Sequence, residues 1–393
     1  MKLGKMVYGL SQAAYVFHKK VREVLYSLGF ESTLFDSCLF FQFVQPGGSD
    51  YSRYLVVIAV YVDNFNILGE REKDVVYYET ELAKAIDTRV KDPHIILGVV
   101  LVETAHSVQL NMRFQIEAVL ERYGMLDANV NMTPLPASLV LKPASADLQT
   151  AESKQYPYPE VVGSVMWIIR CTLVSAKFAC NTLCVHITKW DSTHVSAAQH
   201  MLKYIKHMKN EGMTFRRKLT LDRLSIRVFC DASFGADAIT VRSTSAFAIV
   251  VETVGTILFL SKQQTTVSKS TMESEYHCAS HAAQTFEGDI NLFGQLGCMV
   301  VMPSILLIDN TATITAIKSQ VTSFKLRHLL LDHAFLRKAC HRGLIVPTHI
   351  DGLHNPADLG TKSLPVEPTA RYTARYTARY TTYILDSAGD HVL

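Results

Sequence analysis

The sequence has no CxxC pair, no glycine-rich phosphate loop and no long apolar run. Eight cysteines scattered over 393 residues indicate no disulfide framework, so we expect an intracellular location, cytoplasmic or nuclear. The longest apolar run, 55–62, is far shorter than the roughly 20 residues that a membrane helix needs. The first residues also lack the apolar segment of a secretory signal. Without a P-loop or a GxGxxG motif, a nucleotide-binding phosphotransferase has no support.

Charge of one sign is also lacking, since 39 Lys and Arg stand against 36 Asp and Glu. A surface for nucleic acid must therefore be local. The most basic segment, 199–218, holds six Lys or Arg and one acid, Glu211. It is equally compatible with a phosphate-contacting surface and with an ordinary solvated face. The candidate contact residues are Lys203, Lys206, Lys209, Arg216 and Arg217.

Hydrophobic residues make up 48% of the chain, enough for sizeable cores, and the length predicts two or three domains. Helical spacing and alternation of apolar residues predict the elements of the first half. These are a helix at 9–29, strands at 38–44 and 54–62, a hairpin at 94–112, a helix at 114–123 and helical segments over 158–210. Residues 136–157 are rich in Pro, Ser and Ala, which predicts a linker.

From residue 224 the pattern becomes α/β. The predicted strands are 224–231, 246–252, 256–260, 304–308 and 344–350, and the predicted helices are 271–293, 311–319 and 325–340. After Pro365 the chain repeats TARY three times. This repeat offers no obvious apolar face to bury, so we expect the tail 367–393 to be disordered.

Two aspartates, Asp231 and Asp309, come at the ends of predicted strands. Ligand sites of open α/β sheets lie at the carboxyl ends of strands, which makes both residues candidates for chemistry. Asp309 has a second interpretation, because it opens the triplet Asp-Asn-Thr and could cap the next helix.

Two glutamates on the long predicted helix point in different directions. Ser270 and Glu273 form the spacing of a capping box, which gives Glu273 a structural role. Glu275 heads the apolar stripe of this helix, about 200° away from Glu273. A carboxylate that faces a sheet is costly unless it is paired or binds a metal, so we assign Glu275 to chemistry.

Asp358 stands in the motif Asn-Pro-Ala-Asp at 355–358. Asn355 resembles a helix N-cap, and the helix dipole would be a sufficient structural reason for Asp358. If it converged with Asp231, Glu275 and Asp309, the four carboxylates would repel one another without a cation. A pair of Mg²⁺ ions is the natural partner for such a group.

Short motifs follow one another along most of the chain. They are YGLSQA at 8–13, DSCLFF at 36–41, YVDN at 61–64, ILGVVLV at 96–102, YGM at 123–125, TPLP at 133–136, GSVMW at 163–167, AQHMLKYIK at 198–206, DAS at 231–233, RSTS at 242–245, SKQQTTVSKSTMESEY at 261–276, IDN at 308–310 and NPADLGTKSLP at 355–365. In this order and spacing they resemble the reverse transcriptase, connection and RNase H of copia-type LTR retrotransposon Pol polyproteins.

The resemblance implies an α/β and α+β multidomain chain. Its parts are a reverse transcriptase remnant (palm and thumb part) at 1–135, the linker 136–157, a helical connection at 158–220, an RNase H-like mixed-sheet domain at 221–366 and the tail 367–393. It also implies Mg²⁺-dependent cleavage of the RNA strand of RNA–DNA hybrids, with two Mg²⁺ ions. The matching catalytic and metal-binding positions are Asp231, Glu275, Asp309 and Asp358.

The polymerase motifs depart from the family pattern. The matching positions in this sequence are Gln12, Asp63 and Asn64. Asn64 stands where the family has a second aspartate and is a poorer cation ligand. The family's other metal-binding aspartate would lie upstream of residue 8. We therefore expect polymerase activity to be lost. The alternative is a catalytically inactive remnant that at most binds nucleic acid without sequence preference.

Further departures occur in the RNase H part, where Ser233 and Leu330 replace aspartates and a histidine is shifted to position 333.

Overall fold

A computed structural model of the protein describes residues 13–45, 52–89, 94–137, 139–217, 223–237, 239–319 and 329–376. The chain divides into two compact units. One is formed by the described residues of Met1–Pro93 with Gly288–Cys298, and the other by those of His94–Glu287 and Met299–Leu393. Among the described residues, no helix combines the length and apolarity needed to cross a membrane.

The first unit is a four-stranded antiparallel sheet with two helices on one face. Its elements are α1 (Ala13–Ser27), β1 (Glu31–Ser32), β2 (Leu39–Val44), β3 (Tyr54–Tyr61), β4 (Asn64–Gly69) and α2 (Glu72–Ala85), and the strands lie in the order β1-β2-β3-β4. The core joins apolar residues of α1, such as Leu25, to β3 residues such as Ile58 and to Tyr78 of α2. The helix at 9–29 and both strands are confirmed over their described residues, whereas β4 and α2 were not predicted.

The second unit begins with a small antiparallel sheet and a helical core. The strands are β5 (Ile95–Ile96), β6 (Val99–Glu103), β7 (Ser107–Asn111) and β8 (Met213–Arg216), in that order. The helices are α3 (Arg113–Arg122), α4 (Ala151–Gln155), α5 (Tyr158–Cys171), α6 (Lys177–Val185) and α7 (Ser192–His207).

One hydrophobic cluster runs from Met112 of the hairpin end to Met208 after α7. Residues 94–135 therefore pack with the helical segment, and the boundary between the compact units falls at 93/94. The domain boundary at 135 stays a prediction. The segment 136–157, predicted as a linker, also packs here: Leu141 is buried, and the indole of Trp190 donates to the carbonyl of Ser153 at 2.8 Å.

The rest of the second unit is built on a five-stranded mixed sheet. Its strands are β10 (Ile226–Ser233), β11 (Thr244–Val251), β12 (Gly255–Gln263), β14 (Ser304–Ile308) and β15 (Ile345–His349), in the order β12-β11-β10-β14-β15. β12, β11 and β10 are antiparallel, and β10, β14 and β15 are parallel. A short pair, β9 (Arg223–Leu224) and β13 (Met299–Val300), lies apart from this sheet. The mixed-sheet α/β fold expected from the sequence is confirmed.

Four helices accompany this sheet: α8 (Thr271–Gln295), α9 (Thr311–Lys318), α10 (Leu330–His341) and α11 (Val366–Tyr376). The predicted stripe of α8 is buried from Glu275 to Phe286. The helix α11 corrects the expectation of a disordered tail for residues 366–376, whereas 377–393 lie outside the described residues. A four-residue repeat is close to the helical period of 3.6, so Thr369, Tyr372 and Thr373 share one buried face.

Candidate active site

Asp231 and Asp309 lie at the same edge of the five-stranded sheet because their strands are parallel neighbours. Phe229 of β10 pairs with Leu307 of β14, and each aspartate comes two residues after its member of this pair. Side chains of a strand alternate with a period of two, so both aspartates continue the same face. The two strand ends therefore bring Asp231 and Asp309 close together.

Asp231 is 4% exposed, and its Oδ2 accepts a hydrogen bond from the Thr361 hydroxyl. For Asp309, burial and the neighbouring charge of Asp231 raise the pKa. The alternative role of Asp309 as a helix cap is wrong, since the side chain of Asn310 accepts the capping bond from the Thr313 amide at 3.1 Å. Asp309 is thereby free of a capping role.

Glu275 reaches this edge from the first turns of α8. Its Oε1 accepts from the Ala232 amide at 3.2 Å, and its buried Oε2 has no hydrogen-bond partner among the described residues. Burial, followed by the charges of Asp231, Cys278 and Asp309, raises the pKa of Glu275 from 4.5 to about 10. A lone buried carboxylate oxygen next to two other carboxylates is the environment that a bound cation would satisfy.

Glu273, two residues earlier, has the structural role predicted for it. Its amide donates to the Ser270 hydroxyl at 3.2 Å, and its carboxylate accepts from the Lys269 amide at 2.8 Å. The carboxylate thus reaches back one residue further than the predicted capping box. It does not belong to the carboxylate group at the sheet edge.

Asp231, Glu275 and Asp309 each bring one carboxylate oxygen to within 4.8 Å of the others. All three ligand atoms are oxygens, which hard cations such as Mg²⁺ and Ca²⁺ prefer. The unpartnered Oε2 of Glu275 gives this group the unsatisfied charge that a divalent ion requires. The residues therefore fit a divalent cation.

Asp358 stands beside this group on a 3-10 turn, Pro356–Gly360. As predicted, Asn355 caps the turn: its Oδ1 accepts from the Ala357 amide at 3.2 Å, while its Nδ2 donates to the Cys230 carbonyl at 2.7 Å. The second bond fastens the turn to the central strand. Asp358 is thereby held close enough to Asp231 for the two charges to interact.

Lys362 faces Asp358, with its Nζ at 3.0 Å from Oδ2. Burial and the charge of Asp231 raise the pKa of Asp358 to about 7, although Lys362 acts in the opposite direction. Burial alone would lower the pKa of Lys362, but Asp231 and Asp358 raise it. The sequence analysis missed Lys362 and Thr361. The spacing of four residues between Asp358 and Lys362, which favours ion pairs in helices, could have indicated the first of them.

The polymerase motif residues lie in the first unit. Asp63 is exposed in the two-residue turn between β3 and β4, and Asn64 donates to its Oδ1 at 3.3 Å. The turn holds Val62 at a φ of 56°, a conformation that is strained for a β-branched residue. Gln12 lies outside the described residues. The structure thus places Asp63 and Asn64 side by side on a hairpin tip.

Several charged side chains of the basic segment 199–218 are engaged within the chain. Lys209 pairs with Glu117 at 3.0 Å, Arg217 pairs with Glu103, and Lys206 donates to a backbone carbonyl at 2.6 Å. The apolar side of α7 is buried, and Lys203 is partly exposed. Intramolecular ion pairs therefore neutralise part of this segment.

His333, one of the departures in the sequence, is a buried structural residue. Its Nδ1 lies 2.8 Å from the hydroxyl of Tyr276, which ties α10 to α8. Burial lowers its pKa, so the neutral ring is favoured.

Comparison with known proteins gives two family matches. The reverse transcriptase (RNA-dependent DNA polymerase) family matches residues 1–137, and the Pao retrotransposon-like RNaseH-like domain matches residues 165–274. A retrovirus-related Pol polyprotein from transposon RE1 of Arabidopsis thaliana is 26% identical over 92% of this chain and 24% of its own length. That from transposon TNT 1-94 of Nicotiana tabacum is 25% identical over 93% and 27%. The chain spans about a quarter of the length of these two relatives.

Solved structures show weak global similarity. LC11-RNase H1 in complex with an RNA/DNA hybrid is 17% identical, covers 35% of this chain and 94% of its own, and has a TM-score of 0.27. The prototype foamy virus protease-reverse transcriptase is 9% identical, covers 99% and 63%, and has a TM-score of 0.24. Over nearly its whole length, the chain is similar in sequence to retrovirus-related Pol polyproteins of transposons, and its first 137 residues match the reverse transcriptase family.

Proposed function

We propose that the chain is a metal-dependent nuclease that cleaves the RNA strand of RNA–DNA hybrids. The observation that carries the proposal is the convergence of Asp231, Glu275 and Asp309 within 4.8 Å at the carboxyl edge of the sheet. Such edges are where α/β sheets bind their ligands. The relationship to retrotransposon Pol proteins supports nucleic acid as the substrate class, because RNase H removes RNA from hybrids in that family.

The residues of the site have distinct roles in this proposal. Glu275, Asp231 and Asp309 would hold Mg²⁺, which when bound activates water and stabilises the leaving oxygen in phosphodiester cleavage. Thr361 fixes the orientation of Asp231 through its hydroxyl, and the amide of Ala232 fixes Glu275. The burial of these carboxylates strengthens their attraction for a bound cation, because water screens that interaction little. The expectation of two ions stays a prediction.

The test is cleavage of a labelled RNA–DNA hybrid by the full chain, in Mg²⁺ and in EDTA. We expect cleavage in Mg²⁺ only, its loss in Glu275→Gln, and its retention in Glu273→Gln, which changes a carboxylate on the same helix. The matched variants also exclude a contaminating nuclease, since both come from the same purification. A catalytically inactive remnant would cleave in none of these conditions, and equal cleavage by both variants would refute the site.

We also propose that the polymerase part does not extend primers. Asp63 and Asn64 together offer a single carboxylate at the hairpin tip, and Asn64 already donates to it. One exposed carboxylate is a weak site for the cations that nucleotide transfer needs. Primer extension by the full chain in Mg²⁺ or Mn²⁺, above that of an Asp63→Asn variant, would contradict this proposal.

A further inference from the structure

Asp358 is not a member of the three-carboxylate group, although it is nearly as buried. One oxygen from each of Asp231, Glu275 and Asp309 lies within 4.8 Å of the other two, a spacing that suits a single shared ion. Asp358 is 7% exposed, and the cation that its Oδ2 faces is the ammonium of Lys362 at 3.0 Å. The chain thus supplies its own positive charge beside the fourth carboxylate.

The backbone holds Lys362 at this place. Its amide donates to the Asp358 carbonyl at 3.3 Å, an α-type bond that follows directly on the 3-10 turn. The preceding residue, Thr361, donates its hydroxyl to Asp231. Adjacent residues therefore bind both aspartates, and the backbone of Lys362 is fixed beside Asp358. The side chain of Lys362 is 47% exposed, so its end can still move out to solvent.

The positive charge of Lys362 opposes the binding of a second cation at Asp358. Asp231 and Asp309 also act electrostatically on the ammonium of Lys362. Like charges a few ångströms apart in a partly buried site repel strongly. A divalent ion at Asp358 and the ammonium of Lys362 therefore compete for the same carboxylate.

Resting on the proposed nuclease site, we infer that the chain without substrate binds one divalent cation, at Asp231, Glu275 and Asp309. Lys362 occupies the position beside Asp358, and a second cation binds there only when the ammonium leaves. Lys362 is thus a residue that sets the number of metal ions.

The test counts Mn²⁺ ions bound to the full chain by electron paramagnetic resonance, with no nucleic acid present. Wild type should bind one ion in the concentration range that fills its site. Lys362→Met, which removes the ammonium and keeps the stem, should bind two in that range. Lys338→Met is the matched control, because it removes an exposed lysine charge of α10 and should leave the number at one.

A double variant covers the case in which Lys362→Met does not fold. Asp358→Asn with Lys362→Met removes the pair without changing the net charge, and it should bind one ion, as wild type does. Loss of that ion would make Asp358 a ligand of the first site and overturn the inference. Two bound ions in wild type would also overturn the inference, as would a single bound ion in a folded Lys362→Met variant. Wild type without any bound ion would refute the nuclease site as well.

Discussion

Replacing Glu275 by glutamine should stabilise the metal-free protein, although it removes a residue of the proposed site. The pKa of Glu275 is raised from 4.5 to about 10 by burial and by Asp231, Cys278 and Asp309. An acid with a raised pKa binds its proton more tightly in the folded than in the unfolded state. The resulting penalty is absent below about pH 4.5, grows as the pH rises, and is complete near pH 10.

The size of the effect follows from the pH interval. At pH 7 the folded carboxyl is protonated, whereas the unfolded one, with its pKa of 4.5, is not. The difference of 2.5 pH units, at 1.36 kcal/mol each, gives a penalty of about 3 kcal/mol. Glutamine carries no charge and keeps the bond from the Ala232 amide. Glu275→Gln should therefore raise the free energy of unfolding by about 3 kcal/mol at pH 7 and by almost nothing at pH 4.

Urea denaturation in EDTA at both pH values measures this difference. The two tryptophans, Trp167 and Trp190, both lie in the second unit, so their fluorescence follows the unfolding of that unit. Glu273→Gln is the control. It weakens the helix cap and should lower the free energy of unfolding by about 1 kcal/mol at neutral pH.

Equal stability of wild type and Glu275→Gln at pH 7 would refute the reasoning, since the carboxyl would then not be forced to keep its proton. With Mg²⁺ added, wild type should become more stable than Glu275→Gln, because the ion stabilises only the protein that binds it.

Three further predictions concern stability and binding. Gly360→Ala should cost about 1–3 kcal/mol in urea denaturation, because the new Cβ would lie 2.4 Å from that of Ala246; an unchanged midpoint would contradict this close approach. Tyr372→Phe should cost about 1 kcal/mol in the same assay, since its hydroxyl donates to a backbone carbonyl at 2.8 Å; no loss would mean that α11 does not dock. Lys203→Gln should lower the log–log salt slope of hybrid binding by about one unit, and ion-paired Lys209→Gln by less; equal effects would contradict the assigned ion pair.

Several features could be predicted from local sequence patterns. The run at 304–308 is apolar throughout, so its strand and the position of Asp309 directly after it follow from the residues alone. The separate roles of Glu273 and Glu275 follow from the angle between successive helical residues. The cap at Asn355 follows from its position before a proline.

Other features could not be predicted from local sequence patterns. Asn310, not Asp309, caps α9, which local sequence leaves open because both residue types cap helices. The tail repeat is helical because Tyr372 packs in a hydrophobic cluster with residues of the five-stranded sheet. Helix propensity alone does not establish this in so short a segment.

The sequence by itself determined which carboxylates face the sheet edge, because the periods of strands and helices set the direction of each side chain. The tertiary structure determined the hydrogen-bond and charge partners of those carboxylates. Asp231 accepts from Thr361, 130 residues away, and Asp358 shares its turn with a lysine that neutralises it. The physical reason is that periodicity fixes a direction, whereas charge compensation depends on distances that only the folded chain establishes.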